Sequence, residues 1–298
     1  MMQYDVIVVG GSYSGLSAAM TLGRSLRKTL IIDSGKPCNR YTPHSHNFIT
    51  HDGRKPAEIA SLALEQVLKY DTVEFKSGLV TQGKKTQDGF QILTSDGEQF
   101  TTKRLIIASG LKDLLPEIPG LLDCWGKSVI HCPYCHGYEV RMEKTGILAS
   151  GDMAHHYAQL ISHWTQELSI FTNGPHHLTD EQLESITKHG IPIIETEVQE
   201  IFHDKGQINE LLLKDGSRHP LKAIYHGPRF EQHSPLSEQL GCELTDHGLI
   251  KVDPLQRTTI HGVSACGDAS NMRSVSVAVS SGTVAGSGVN YDMILESF

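Results

Sequence analysis

The sequence predicts an α/β fold built from two Rossmann-like units, and three observations predict it. Two stretches each read strand, turn with glycine, helix, strand. Their strands are short and nearly all apolar, as parallel strands covered on both faces should be. Proline- and glycine-bearing segments at 114–120 and at Gly227-Pro228 separate the units. At 298 residues the chain is long enough for two domains.

In the first unit, Asp5 to Val9 is the opening strand. Gly10-Gly11-Ser12-Tyr13-Ser14-Gly15 follows at once, and Leu16 to Leu26 carries apolar residues at helical spacing. Thr29 to Ile32 is the second strand, closed by Asp33. Such a turn brings backbone close to a pyrophosphate, and the helix N-terminus stabilises the anion. The acid, about 20 residues on, is placed to bond ribose hydroxyls. Gly10 and Gly15 fill the first and third glycine places, but Ser12 stands in the second. The polar stretch Pro37 to Asp52, with Asn39, Arg40, His44, His46 and Asn47, has two readings: a cover over a cofactor ring, or a solvated loop.

Pro56 to Tyr70 is predicted as an amphipathic helix with Ile59, Leu62, Val67 and Leu68 inward. Val73 to Thr81 reads as a strand, and Phe90 to Thr102 as a hairpin around Asp96-Gly97. Arg104 to Gly110 is a buried strand ending in small residues. Thr145 to Leu148, a helix over His155–Gln166 and Leu168 to Phe171 repeat the first unit's pattern. The chemistry is poorer there. Ala149 replaces the first glycine, and Thr172-Asn173-Gly174 follows the second strand in place of an acid. A 2′-phosphate needs positive charge, yet Phe171 to Ile201 holds no arginine and only Lys188. The pattern predicts a degenerate NADPH site; binding through other residues is the alternative.

Val198 to Tyr225 reads as a three-strand meander, and Gly248 to Val252 as a strand. Gly262 to Asp268 is a strand ending in a Gly-Asp pair. The closing helix, Ser274 to Leu295, has small residues (Ala278, Ser281, Gly282, Ala285, Gly286) where backbone or cofactor can come close.

Acidic residues outnumber basic ones 34 to 26, for a net charge of −8. That balance argues against nucleic acid or an anionic membrane as partner. No apolar run approaches the roughly 20 residues of a membrane span. The N-terminus lacks a signal peptide's charged start and cleavage site, so a cytoplasmic protein is expected. In a reducing compartment six cysteines are not a disulfide framework.

His131-Cys132-Pro133-Tyr134-Cys135-His136 therefore stands out. Two thiols two residues apart can close into a disulfide or open into a dithiol, and flanking imidazoles favour thiolate. Cys-x-x-Cys-His is also a haem-attachment pattern, and Cys/His clusters bind zinc. Haem attachment normally follows export, and zinc needs four close ligands where only this hexapeptide offers any. Redox chemistry is the favoured reading, with no metal expected. Cys38, Cys124, Cys242 and Cys266 have no partner at motif spacing and read as packed thiols, Cys38 standing in the loop for which a cover over a cofactor ring is one reading.

With these residues in order, the chain resembles the thioredoxin-reductase-like flavoproteins over nearly its whole length. The matches are Gly10 to Gly15 with Asp33, Leu105 to Gly110, the Cys132/Cys135 pair, and Ala265-Cys266-Gly267-Asp268. The resemblance implies two Rossmann-like (three-layer ββα) dinucleotide-binding domains, the second inserted in the first. Residues 1–115 and 228–298 would bind FAD, and 116–227 would form an NAD(P)H-binding-like domain. Gly10, Ser12, Ser14 and Gly15 would hold the pyrophosphate and Asp33 the adenosine ribose. Gly267 and Asp268 would hold the ribityl–phosphate chain, and Arg40, Asn47, Val80, Ala108 and Gly110 would complete the FAD site.

By the same resemblance Cys135 lies against the flavin, Cys132 meets the substrate, and His136 moves thiol protons. Thioredoxin reductases usually carry an acid where His136 stands. Cys-x-x-Cys-His-Gly is similar to the dithiol oxidase branch, which forms disulfides in sulfur-containing natural products. The implied partner is a thioredoxin-like protein or a small dithiol or disulfide, with ferredoxin or oxygen as other electron partners and a homodimer as assembly. The rivals are an ordinary NADPH-dependent thioredoxin reductase and a non-catalytic FAD or redox sensor.

Overall fold

The structure, a computed structural model, describes residues 3–298. The chain runs β1 (Gln3–Val9), α1 (Tyr13–Arg24), β2 (Thr29–Asp33), α2 (Pro56–Val67), β3 (Val73–Ser77), β4 (Val80–Thr86), β5 (Gly89–Thr94), β6 (Gln99–Ile107) and β7 (Leu111–Leu114). Next come α3 (Leu121–Cys124), β8 (Val129–Ile130), α4 (Pro133–His136), β9 (Thr145–Leu148), α5 (Gly151–Ile161), β10 (Leu168–Phe171), α6 (Asp180–Lys188) and β11 (Ile193–Ile194). β12 (Val198–Asp204), β13 (Gln207–Leu213), β14 (Arg218–Pro220) and β15 (Ala223–Tyr225) follow, then β16 (Arg229–Gln232), α7 (Leu236–Leu240), β17 (Val263–Ala265) and α8 (Val275–Ser297).

Two compact units result. Of the described residues, one holds 3–40, 56–112 and 230–298, the other 41–55 and 113–229. The sequence reading left 41–55 in the first domain. The structure groups it with the second, because Tyr41 packs onto the cluster around Leu121 and Trp125. A polar loop has no periodicity to reveal that attachment.

The first unit is a seven-stranded sheet in the order β3-β2-β1-β6-β5-β4, with β17 also on β6. β1 is parallel to both β2 and β6. With neighbours on both edges and cover on both faces, Val6, Ile7 and Val8 are fully buried. Burying each is worth roughly 1.5–3 kcal/mol. The predicted strand 73–81 breaks after Ser77 into β3 and β4, which sit at opposite ends of the sheet. Gln99–Ile107 is one continuous strand serving both the hairpin with β5 and the parallel pairing with β1. Residues 248–252 form only a bridge from Ile250 to Leu244, so no strand lies there. The small residues of α8 meet backbone: a Cβ on Gly282 would lie 2.1 Å from the Ser14 carbonyl oxygen of α1.

The second unit is a parallel sheet ordered β11-β10-β9-β15-β8, with a separate β12-β13-β14 meander. The predicted meander ended at Tyr225. Instead Ala223 to Tyr225 leave it and pair in parallel with β8 and β9, their three side chains all buried. The helix α6 was not predicted. It starts at a capping box in which Thr179 and Gln182 exchange bonds. Among the described residues, no helix is long and apolar enough to cross a membrane.

Candidate active site

The first cradle forms where β1 turns into α1. Gly10 has φ +106°, and a Cβ there would sit 2.3 Å from the Ala108 carbonyl oxygen. Only glycine allows this approach. A Cβ on Gly15 would lie 1.8 Å from the Gly10 carbonyl oxygen, which seats the helix against the strand. Ser12 caps α1 without a side-chain bond, and the first turn carries no acid. The amides of that turn and the helix dipole are thus left for an anion.

Asp33 accepts bonds from the Gly11 amide (2.6 Å) and the Gly35 amide (2.7 Å), one on each oxygen. Each oxygen keeps a second lone pair for a ribose hydroxyl. On the other side, the Gly267 amide donates to Ser281 Oγ at 3.0 Å. Ser14 hydrogen-bonds Cys266, whose thiol is pushed up to about 12 by burial, with the Ser14 bond opposing. That bond ties the start of α1 to the turn bearing Asp268. Asp268 Oδ2 lies 3.5 Å from Cys38 Sγ and 3.9 Å from Arg273 Nε.

The structure thus gathers Gly10, Ser12, Ser14, Gly15, Asp33, Ala108, Gly267 and Asp268 around one strand–helix junction. Arg40 is used locally, donating to the Pro37 carbonyl at 2.9 Å. Gly110, at φ +68°, accepts a bond from the His233 amide. Val80 is buried in the first unit's core. Asn47 groups with the second unit, its amide bonded to Asp52 Oδ1 at 2.7 Å. Sequence reasoning missed Arg273, which has no motif to mark it.

In the second unit, buried β8 delivers His131 and Cys132 to the start of α4. Cys132 is the N-cap, and Pro133 fixes the first helical φ. The Cys135 and His136 amides both donate to the Cys132 carbonyl at 3.2 Å. This single turn brings Cys135 back beside Cys132, and both thiols are partly exposed. Gly137 packs on Trp164, whose ring meets Tyr134 edge-on at 5.7 Å. His131 stacks on Trp125, and its carbonyl accepts a 3.0 Å bond from the Tyr157 hydroxyl.

His136 is held below the usual histidine range, chiefly by burial; Glu139 opposes the shift and His46 adds to it. At neutral pH the ring is therefore uncharged and can accept a thiol proton. His46 lies 3.6 Å from Glu139 and 3.6 Å from Asp52, so the 41–55 loop supplies a second histidine to this cluster.

The second unit's nucleotide position looks different. The Gly151 amide at the start of α5 donates to the His176 carbonyl at 2.7 Å. Asp152, an acid in that first turn, accepts a bond from Gln182. His226 Nδ1 lies 2.8 Å from the Leu148 carbonyl oxygen, joining the C-terminal ends of β15 and β9. A Cβ on neighbouring Gly227 would come within 3.1 Å of the Tyr157 hydroxyl. Among the described residues, no group of three or more His, Cys, Asp or Glu is placed to hold a metal ion.

The family model of the pyridine nucleotide-disulphide oxidoreductases matches residues 4–282. The chain belongs to that family. It is 31% identical to the thioredoxin reductase tcpT of Claviceps purpurea (strain 20.1), over 95% of this chain and 92% of that protein. It is 29% identical to the thioredoxin reductase sirT of Leptosphaeria maculans, over 98% and 94%. A crystal structure of an oxidoreductase from Agrobacterium tumefaciens superposes with a TM-score of 0.91 at 37% identity, covering 99% of both chains.

The protein is an FAD-dependent oxidoreductase with a thioredoxin-reductase-like fold. The first-unit cradle fits FAD: its amides are uncapped, its glycines admit a pyrophosphate, and its acid sits at the ribose end. Gly15→Ala is expected to empty it. The added methyl has nowhere to go, and the purified variant should carry less than about a tenth of the parent's flavin absorbance. A variant as yellow as the parent overturns this placement.

Proposed function

We propose that the protein is a thiol–disulfide oxidoreductase whose Cys132/Cys135 pair trades two electrons between FAD and a dithiol or disulfide substrate, with little or no use of NADPH. One observation carries the NADPH part. At the first unit the helix N-terminus is left to an anion, whereas at the second it is occupied by the chain itself: His176 takes the Gly151 amide, and Asp152 adds negative charge. An acid in the first turn repels a phosphate.

In the oxidising direction, a substrate thiolate attacks Cys132 Sγ of the Cys132–Cys135 disulfide, and Cys135 leaves as thiolate. The second substrate thiol, giving its proton to His136, attacks the substrate sulfur of the mixed disulfide. Substrate disulfide departs, and Cys132 leaves reduced. FAD, when bound, supplies the two-electron acceptor that restores the pair. His136 suits its part because burial keeps it neutral. The substrate class is a small dithiol or a thioredoxin-like protein.

The names of the tcpT and sirT relatives favour a second reading, an NADPH-dependent thioredoxin reductase. Anaerobic titration separates the two. Dithiol is expected to bleach the flavin absorbance stoichiometrically, while NADPH leaves it essentially unchanged. Fast stoichiometric bleaching by NADPH would sink the first reading and establish the second.

A further inference from the structure

We infer that Tyr157 is a positioning residue for the redox pair: its hydroxyl holds the peptide that leads into Cys132 and thereby favours closure of the Cys132–Cys135 disulfide. The inference rests on the redox reading of that pair and adds a residue to it. The Tyr157 hydroxyl donates to the His131 carbonyl at 3.0 Å. That carbonyl belongs to the peptide whose nitrogen is Cys132's own. A peptide unit is planar, so fixing its oxygen fixes the direction from which the chain enters Cys132.

The bond acts where the sheet no longer does. β8 ends at Ile130, whose carbonyl takes the His226 amide at 2.9 Å, and the chain bends at His131. Cys132 follows in an extended conformation, with φ −118° and ψ 114°. Beyond it, Pro133 fixes the next φ, and the Cys135 and His136 amides hold the Cys132 carbonyl. Cys132 is thus held on its C-terminal side by the turn of α4 and on its N-terminal side by Tyr157. The tyrosine is itself well anchored. It lies on α5 and is 6% exposed. Its ring packs in one apolar cluster with Ile130, Ala158, Ile161 and Tyr225, 6.2 Å from the Tyr225 ring.

A disulfide closes only when the two Cβ atoms stand roughly 3.5–4.5 Å apart with their sulfurs turned toward each other. The effective concentration of one thiol at the other depends on how often the backbone presents that geometry. Releasing the His131 peptide widens the range of angles open to Cys132 and lowers that concentration. The hydroxyl is spent on a carbonyl, so its loss changes the geometry of the pair and leaves the acidity of Cys132 as it was.

The test is Tyr157→Phe, which keeps the ring and its packing. The flavin-loaded protein is equilibrated anaerobically with mixtures of glutathione and glutathione disulfide. In that exchange the dithiol becomes the Cys132–Cys135 disulfide as one glutathione disulfide becomes two thiols. The fraction oxidised is read by mass after alkylation of the free thiols, with flavin absorbance followed alongside. The expected result is an equilibrium constant for disulfide formation about three- to tenfold lower than the parent's. In a Cys135→Ser background, the rate of Cys132 alkylation from pH 5 to 10 should be the same with and without Tyr157→Phe. An unchanged equilibrium constant overturns the inference while leaving the redox reading intact, whatever happens to the melting temperature. A displaced alkylation profile also overturns it, since the hydroxyl would then act on the thiolate. A parent protein whose two cysteines stay reduced even in glutathione disulfide alone overturns both readings.

Discussion

Cys132→Ser and Cys135→Ser each lower dithiol turnover by at least about 10³-fold while the protein stays yellow. Both halves of that expectation follow from position. The FAD cradle is assembled from β1, α1, β2 and the Gly267–Asp268 turn, none of which includes either cysteine. The cysteines lie on a one-turn helix whose backbone bonds come from the Cys132 carbonyl, which serine retains. Both thiols are partly exposed, so swapping sulfur for oxygen opens no cavity. Serine cannot accept electrons by forming a disulfide, so the loss is chemical. Steady-state oxidation of a small dithiol, with flavin absorbance per protein as control, checks it. A serine variant retaining more than about a tenth of parent turnover shows that the pair is not the redox centre. A variant that loses its flavin shows that the cradle was misplaced.

Much of this site is legible in the sequence because it depends on local rules. The Gly10–Gly15 turn, the apolar strands beside it and Asp33 follow from backbone sterics and from burial on both faces of a parallel sheet. The Cys132/Cys135 pair is legible from spacing alone. What is not legible depends on long-range closure. Tyr225 belongs to a three-residue strand that sequence continuity joins to the wrong sheet; only pairing with β8 and β9 reassigns it. His46 reaches Glu139 from nearly a hundred residues away, through a loop without periodicity. The expectation of a poor second nucleotide site rests on Ala149 and missing arginines, whereas the bond from the Gly151 amide to the His176 carbonyl at the start of α5 appears only in three dimensions.

His136→Ala should slow dithiol oxidation by roughly 10²–10³-fold, because the thiol proton then loses the neutral imidazole proposed to accept it. The sharper test is the pH profile, whose sign follows from the cluster around the ring. Only the neutral imidazole accepts a proton, so activity rises as pH climbs through the His136 pKa. Burial lowers that pKa, which places the acid limb of kcat/KM below the usual histidine range. Glu139 pulls it upward, so Glu139→Gln moves the acid limb to lower pH. His46 pushes it downward, so His46→Gln moves the limb to higher pH. The two variants must shift the limb in opposite directions, and a general loss of packing does not produce that. The limb must also vanish in His136→Ala. If it persists there, another group titrates and the proton acceptor is not His136. If both charge variants move it the same way, the His46–Glu139 pair does not act on the ring as the structure arranges it.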